Sequence, residues 1–69
     1  MITLTQIHSK LAEAIKYSGF TQTELAKRLG VSQSCIAHYV KGRKMPALDT
    51  LANLCQIIGA DANDILCLQ

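Results

Sequence analysis

The sequence predicts an all-α fold built from five short helices. Apolar residues recur every three or four positions in successive segments. Small polar residues and glycines bracket those segments where helices start and stop. No alternating or β-branched run is long enough to read as a strand, and the only proline is Pro46. Sixty-nine residues make one domain, residues 1–69, with no linker, repeat or low-complexity tract. A chain this short buries a smaller share of its surface than a long one. Its core is expected to be aliphatic, since 49% of residues are hydrophobic and only 4% aromatic.

The first helix is predicted from about Thr3 or Thr5 to Ser18. Leu4, Ile7, Leu11, Ala14 and Ile15 share one face, Thr3 and Gln6 suit a capping box, and Gly19 is the stop. Thr21 and Glu24 form a second capping box that opens the next helix, whose inward side is Leu25, Ala26 and Leu29. Gly30 ends it in the left-handed conformation. Ser32 caps a third helix over Gln33 to Lys41, closed by Gly42, and Gly42 to Pro46 form a loop. A fourth helix spans Leu48 to Ile58, with Leu48, Leu51, Leu54, Cys55 and Ile58 inward and Gly59 after it. Asp61 caps a last short helix, Ala62 to about Leu66, anchored by Ile65 and Leu66.

Two helices separated by a short glycine turn, at about 22–41, form a helix-turn-helix when they cross steeply. Leu25, Leu29, Val31, Ile36 and Tyr39 supply the shared seam, and small Ala26 permits close approach. With Ile36, Tyr39 and Val40 turned inward, the outer side of the third helix carries Gln33, Ser34, Ala37, His38 and Lys41. That face is small, polar and free of acid. A glutamine pairs with adenine N6 and N7, a serine donates or accepts, a histidine meets a base acceptor or a phosphate, and an alanine lies against a thymine methyl. Gln33, Ser34, Ala37 and His38 are therefore the candidate base contacts, and Gln33 leads because helix N-terminal residues enter a groove deepest.

Charge points the same way. Residues 1–44 carry all seven Lys and Arg and two acids, a net +5; residues 45–69 carry three acids and no base, a net −3. Lys41, Arg43 and Lys44 follow the third helix directly. Gln22 and Thr23 stand at the amide-rich start of the second, where an anion is favoured. These five are the candidate phosphate contacts.

The run TQTELAKRLGVSQSCIAHYVKGRKMPALDTLANLCQIIGADANDIL resembles the phage-repressor and Cro-like, or Xre-type, helix-turn-helix family, also called lambda-repressor-like, over about Phe20 to Leu66. The first helix fits as well. The resemblance implies a five-helix domain that binds operator DNA as a homodimer on a palindromic site. It implies that Gln33, Ser34 and His38 read bases and that Gln22 and Lys41 to Lys44 hold phosphates. One departure stands out: where the family often pairs a Glu late in the third helix with an Arg in the first, this chain has Val40 and Ile15. An apolar contact is expected in place of the ion pair, an exchange that is neutral or stabilising in other proteins. Lys41 also stands where Asn is frequent, just before Gly42.

The expected function is a sequence-specific transcriptional regulator, a repressor that blocks polymerase from double-stranded DNA. The rival is an antitoxin-type module that binds a protein partner and touches DNA secondarily. Structured RNA suits this helix less, since the A-form major groove is too narrow. No nucleophile, acid/base pair or glycine-rich phosphate loop is visible, so no enzyme is expected. No cofactor is expected, and no metal, because His8 and His38 lack neighbours to complete a ligand set. Cys35, Cys55 and Cys67 are odd in number with no C-x-x-C pair and read as reduced thiols, the first two in the core and Cys67 exposed near the end. No signal peptide or membrane-spanning run is evident, and a cytoplasmic location is expected. Leu48, Leu66 and Leu68 are candidates for a dimer surface. Lys10, Lys16, Lys27 and Arg28 read as surface charge, the last two as outer candidates for backbone contact.

Overall fold

The computed structural model describes residues 1–68, which form five helices and, among the described residues, no strand. These are α1 (Leu4–Lys16), α2 (Gln22–Leu29), α3 (Gln33–Lys41), α4 (Leu48–Ile58) and α5 (Ala62–Ile65). α1 packs against α3 and α5, α2 against α3 and α4, and α4 against α5. α3 thus lies between the first two helices. One core joins them: Leu11, Leu25, Ile36, Leu54 and Ile65, one from each helix, are its fully buried large side chains. Removing such a side chain to alanine costs about 2–5 kcal/mol.

The helix starts are built as their residues dictate. Thr3 and Gln6 exchange hydrogen bonds of 3.2 and 2.8 Å, and Thr21 and Glu24 exchange bonds of 3.1 and 3.0 Å, so both capping boxes form. Ser32 Oγ accepts from the Cys35 amide at 3.1 Å. Asp61 accepts from the Asn63 amide at 2.9 Å.

Four expectations need correction. Leu4 and Leu48 are not inward; they are 70% and 85% exposed. Both are first residues of their helices, and a helical Cβ leans toward the N-terminus, so their side chains project past the end of the core. α1 ends at Lys16 instead of Ser18. The Ser18 hydroxyl donates to the Ile15 carbonyl at 2.7 Å and accepts from the Phe20 amide at 3.2 Å, which turns the chain out of the helix before Gly19. α5 ends at Ile65, with Leu66 as its cap. The amide of Leu68 reaches back to the Asn63 carbonyl at 2.8 Å, and Cys67 takes φ 62° to allow it. Cys35 is half-buried at the edge of the core, Cys67 is half-buried rather than exposed, and Cys55 is buried. At about 100° per residue, Cys35 sits at the border of the inward arc that Ile36 and Tyr39 occupy.

Ile15 is buried, and Val40 packs half-buried against the same core. The positions of the family's ion pair are thus both apolar here. Among the described residues the ion pair within 4.0 Å is Lys10–Asp64, which ties α1 to α5 on the surface.

Candidate nucleic-acid interface

α3 presents its outer face as a narrow stripe. Residues 33, 34, 37, 38 and 41 fall within about 140° of arc at about 100° per residue. Gln33, Ser34, His38 and Lys41 are exposed, and Ala37 is half-buried between them. The opposite side is anchored by Ile36 and by Tyr39, which is 3% exposed. Burial pushes the Tyr39 phenol up to about 12, with Cys35 beside it adding to the shift. The ring therefore stays neutral and fixed while the far side of the same helix faces solvent.

α2 and α3 are joined by Gly30, Val31 and Ser32. Gly30 takes φ 77° and ψ 29°, so its amide and that of Val31 both reach the Ala26 carbonyl, at 2.9 and 3.0 Å. This tight return brings α3 back against α2, whose Leu25 and Ala26 are buried. The geometry is that of a helix-turn-helix.

The C-terminus of α3 is closed just as tightly. Gly42, at φ 76°, donates its amide to the Tyr39 carbonyl at 3.4 Å, and Arg43 donates to the His38 carbonyl at 3.0 Å. Lys41, Arg43 and Lys44 leave this turn exposed, and none has a carboxylate within 4.0 Å among the described residues. Three cations therefore stand together beside the end of the outward stripe.

The N-terminus of α2 is less simple. Thr23 is exposed, Gln22 is half-buried, and their first-turn amides have no partner within the helix. Glu24 is beside them. The Thr21 backbone and hydroxyl bonds, and then Arg28, hold its carboxyl below the usual range. It is ionised at neutral pH and offsets part of the positive end of α2. Anion binding at Gln22 and Thr23 therefore rests on amide hydrogen bonds more than on net charge. Arg28, an outer candidate for backbone contact, is stacked 4.9 Å from the centre of the Phe20 ring.

A helix-turn-helix family model matches residues 11–65. The chain belongs to the Xre/lambda-repressor-like helix-turn-helix family. No curated protein and no solved structure matches it significantly. Membership makes this chain a DNA-binding regulator in the general sense, in a family that is typically non-enzymatic. The match takes in α2, α3, α4 and the loop of cations, so the nine residues singled out from the sequence all lie within it.

A surface concavity of about 360 Å³ is lined by Thr5, Gln6, Ser9, Lys10, Glu13 and Cys67 and includes none of those nine residues. Among the described residues no helix is long and apolar enough to cross a membrane, and no three His, Cys, Asp or Glu side chains gather to hold a metal ion.

One residue at this interface escaped the sequence reading. His8 Nε2 lies 3.0 Å from the Val40 carbonyl, at the end of α3. A signal was present: position 8 is four after Leu4 and three before Leu11, on the apolar stripe of α1. Its partner is a backbone atom 32 residues away, which no side-chain pattern reveals.

Proposed function

We propose that this chain is a sequence-specific repressor that binds double-stranded DNA as a homodimer on a palindromic operator. α3 enters the major groove. Gln33, Ser34, Ala37 and His38 meet base edges, and Gln22, Thr23, Lys41, Arg43 and Lys44 meet phosphates. The observation that carries this reading is the acid-free stripe of α3 running into three exposed cations that have no carboxylate within 4.0 Å among the described residues. Phosphate contacts hold position and confer salt dependence, while base-edge contacts select the sequence. A nine-residue helix, about 13 Å long, suits a groove about 12 Å wide. In a dimer on such an operator the two reading helices enter successive major grooves about one turn, ~34 Å, apart. Residues 1–69 act as one unit in the cytoplasm, and occupancy of the operator excludes polymerase.

The second reading is an antitoxin-type module that masks a protein partner. Exposed Met1, Ile2, Leu4 and Leu48 favour it, since apolar side chains in solvent suit a protein surface. Selection of binding sites from random duplexes, followed by footprinting, separates the two. A two-fold site with half-sites one turn apart supports the repressor. Recovery of unrelated sequences, together with a stoichiometric co-purifying protein, supports the module.

A further inference from the structure

The carbonyl of Val40 is one of the last in α3, and such carbonyls have no partner within the helix. The turn at Gly42 and Arg43 satisfies its neighbours, Tyr39 and His38. His8, from the middle of α1, satisfies Val40 at 3.0 Å. A carbonyl only accepts, so Nε2 is the donor. The same ring lies flat against Gly42. A Cβ at position 42 would stand 2.8 Å from His8 Cε1 and 2.9 Å from Nε2, closer than real Cβ atoms come. The glycine is therefore needed twice, once for its φ of 76° and once for the space the imidazole fills.

We propose that His8 is a positioning residue for DNA binding: it latches α1 to the end of the reading helix and holds the Lys41–Lys44 segment in the shape that grips phosphate. This rests on the reading of α3 and its cations as the DNA interface. His8 does not touch DNA in this account. Its effect is preorganisation. Lys41, Arg43 and Lys44 have long side chains that lose freedom on binding, and a backbone already ordered by the latch leaves less to be ordered in the complex. The apolar exchange at Ile15 and Val40 gives this a reason. With no ion pair between those positions, the hydrogen bond from His8 is, among the described residues, the side-chain polar tie between α1 and the end of α3.

The test compares His8→Leu, which keeps bulk but cannot donate, with His8→Gln, whose amide can. Backbone relaxation by NMR on the free proteins is read alongside binding to a random duplex over a salt series. His8→Leu is expected to keep α2 and α4 as ordered as in the native chain while residues 42–44 become mobile on the ps–ns scale. Its affinity should fall several-fold, and its salt slope should flatten by ~0.9 for each phosphate the protein no longer neutralises. His8→Gln should restore most of both. A His8→Leu protein with an ordered segment, or with a loosened segment but native affinity and slope, overturns the proposal. So does a His8→Gln protein that is as impaired as His8→Leu. If the native chain binds no duplex, the DNA reading fails and the role in binding with it. The relaxation data then still report whether His8 holds the segment.

Discussion

Gln33 is the first residue of α3, exposed, with its amide side chain free to form two hydrogen bonds in one plane. Arg43 lies beyond the other end of the helix, in the turn that carries the cations. The two should fail differently. Gln33→Ala is expected to lose about 1–3 kcal/mol on the selected site and little on random duplex. Arg43→Gln is expected to weaken both duplexes alike and to reduce the salt slope by ~0.9. Competition binding at several salt concentrations checks both. Equal weakening of the two duplexes by Gln33→Ala would mean that the residue reads no base. Exposure of Gln33, Ser34 and His38 was legible in the sequence, because a 3.6-residue period turns those positions away from Ile36 and Tyr39, while Ala37 between them is half-buried. The role of His8 was not, because no side-chain pattern encodes a hydrogen bond to a distant backbone carbonyl.

The ends of the helices show how far local chemistry reaches. Both predicted capping boxes and the Ser32 cap form, because a side chain three positions from a free amide needs no help from the rest of the fold. The exit of α1 was misread, since Ser18 competes for the Ile15 carbonyl before Gly19 can act. Two glycines now separate local from tertiary demands. Gly30 and Gly42 have nearly the same φ, 77° and 76°. Around Gly30 there is open space, so Gly30→Ala should cost only the left-handed strain, about 1–2 kcal/mol. Gly42→Ala adds the collision with the His8 ring and should cost clearly more. In a His8→Ala background the excess should vanish, and chemical denaturation of the four proteins measures that coupling. Equal losses for the two glycines in the native background would show that the ring yields freely.

On the scale of the molecule, one buried core serves all five helices, so a change at its centre is felt everywhere. Tyr39 carries a titratable group into that core. Its phenol is raised from 10.0 to about 12 when folded, so the folded state favours the neutral ring. The resulting stability is fully present below pH 10 and is lost as pH rises toward 12. Alkaline unfolding of the native chain should therefore steepen over that window. Tyr39→Phe, made in a Tyr17→Phe background, should flatten it, as followed by helical circular dichroism. An unchanged alkaline limb in that variant would remove Tyr39 as the cause. The same burial presses one side of α3 against the core and leaves the other side to the solvent.

Helix number, order and polarity of face were determined by the sequence alone, through period, caps and stops that act within a few residues. The run from α2 to α5, with the basic residues of the Gly42 loop and Pro46, carried the family resemblance in the same local way. Tertiary packing alone decided that Leu4 and Leu48 project past the core, that Arg28 stacks on Phe20 and that His8 reaches the end of α3. Those outcomes depend on where separate helices stop relative to one another, and a distance between elements is set by the whole core rather than by any one segment.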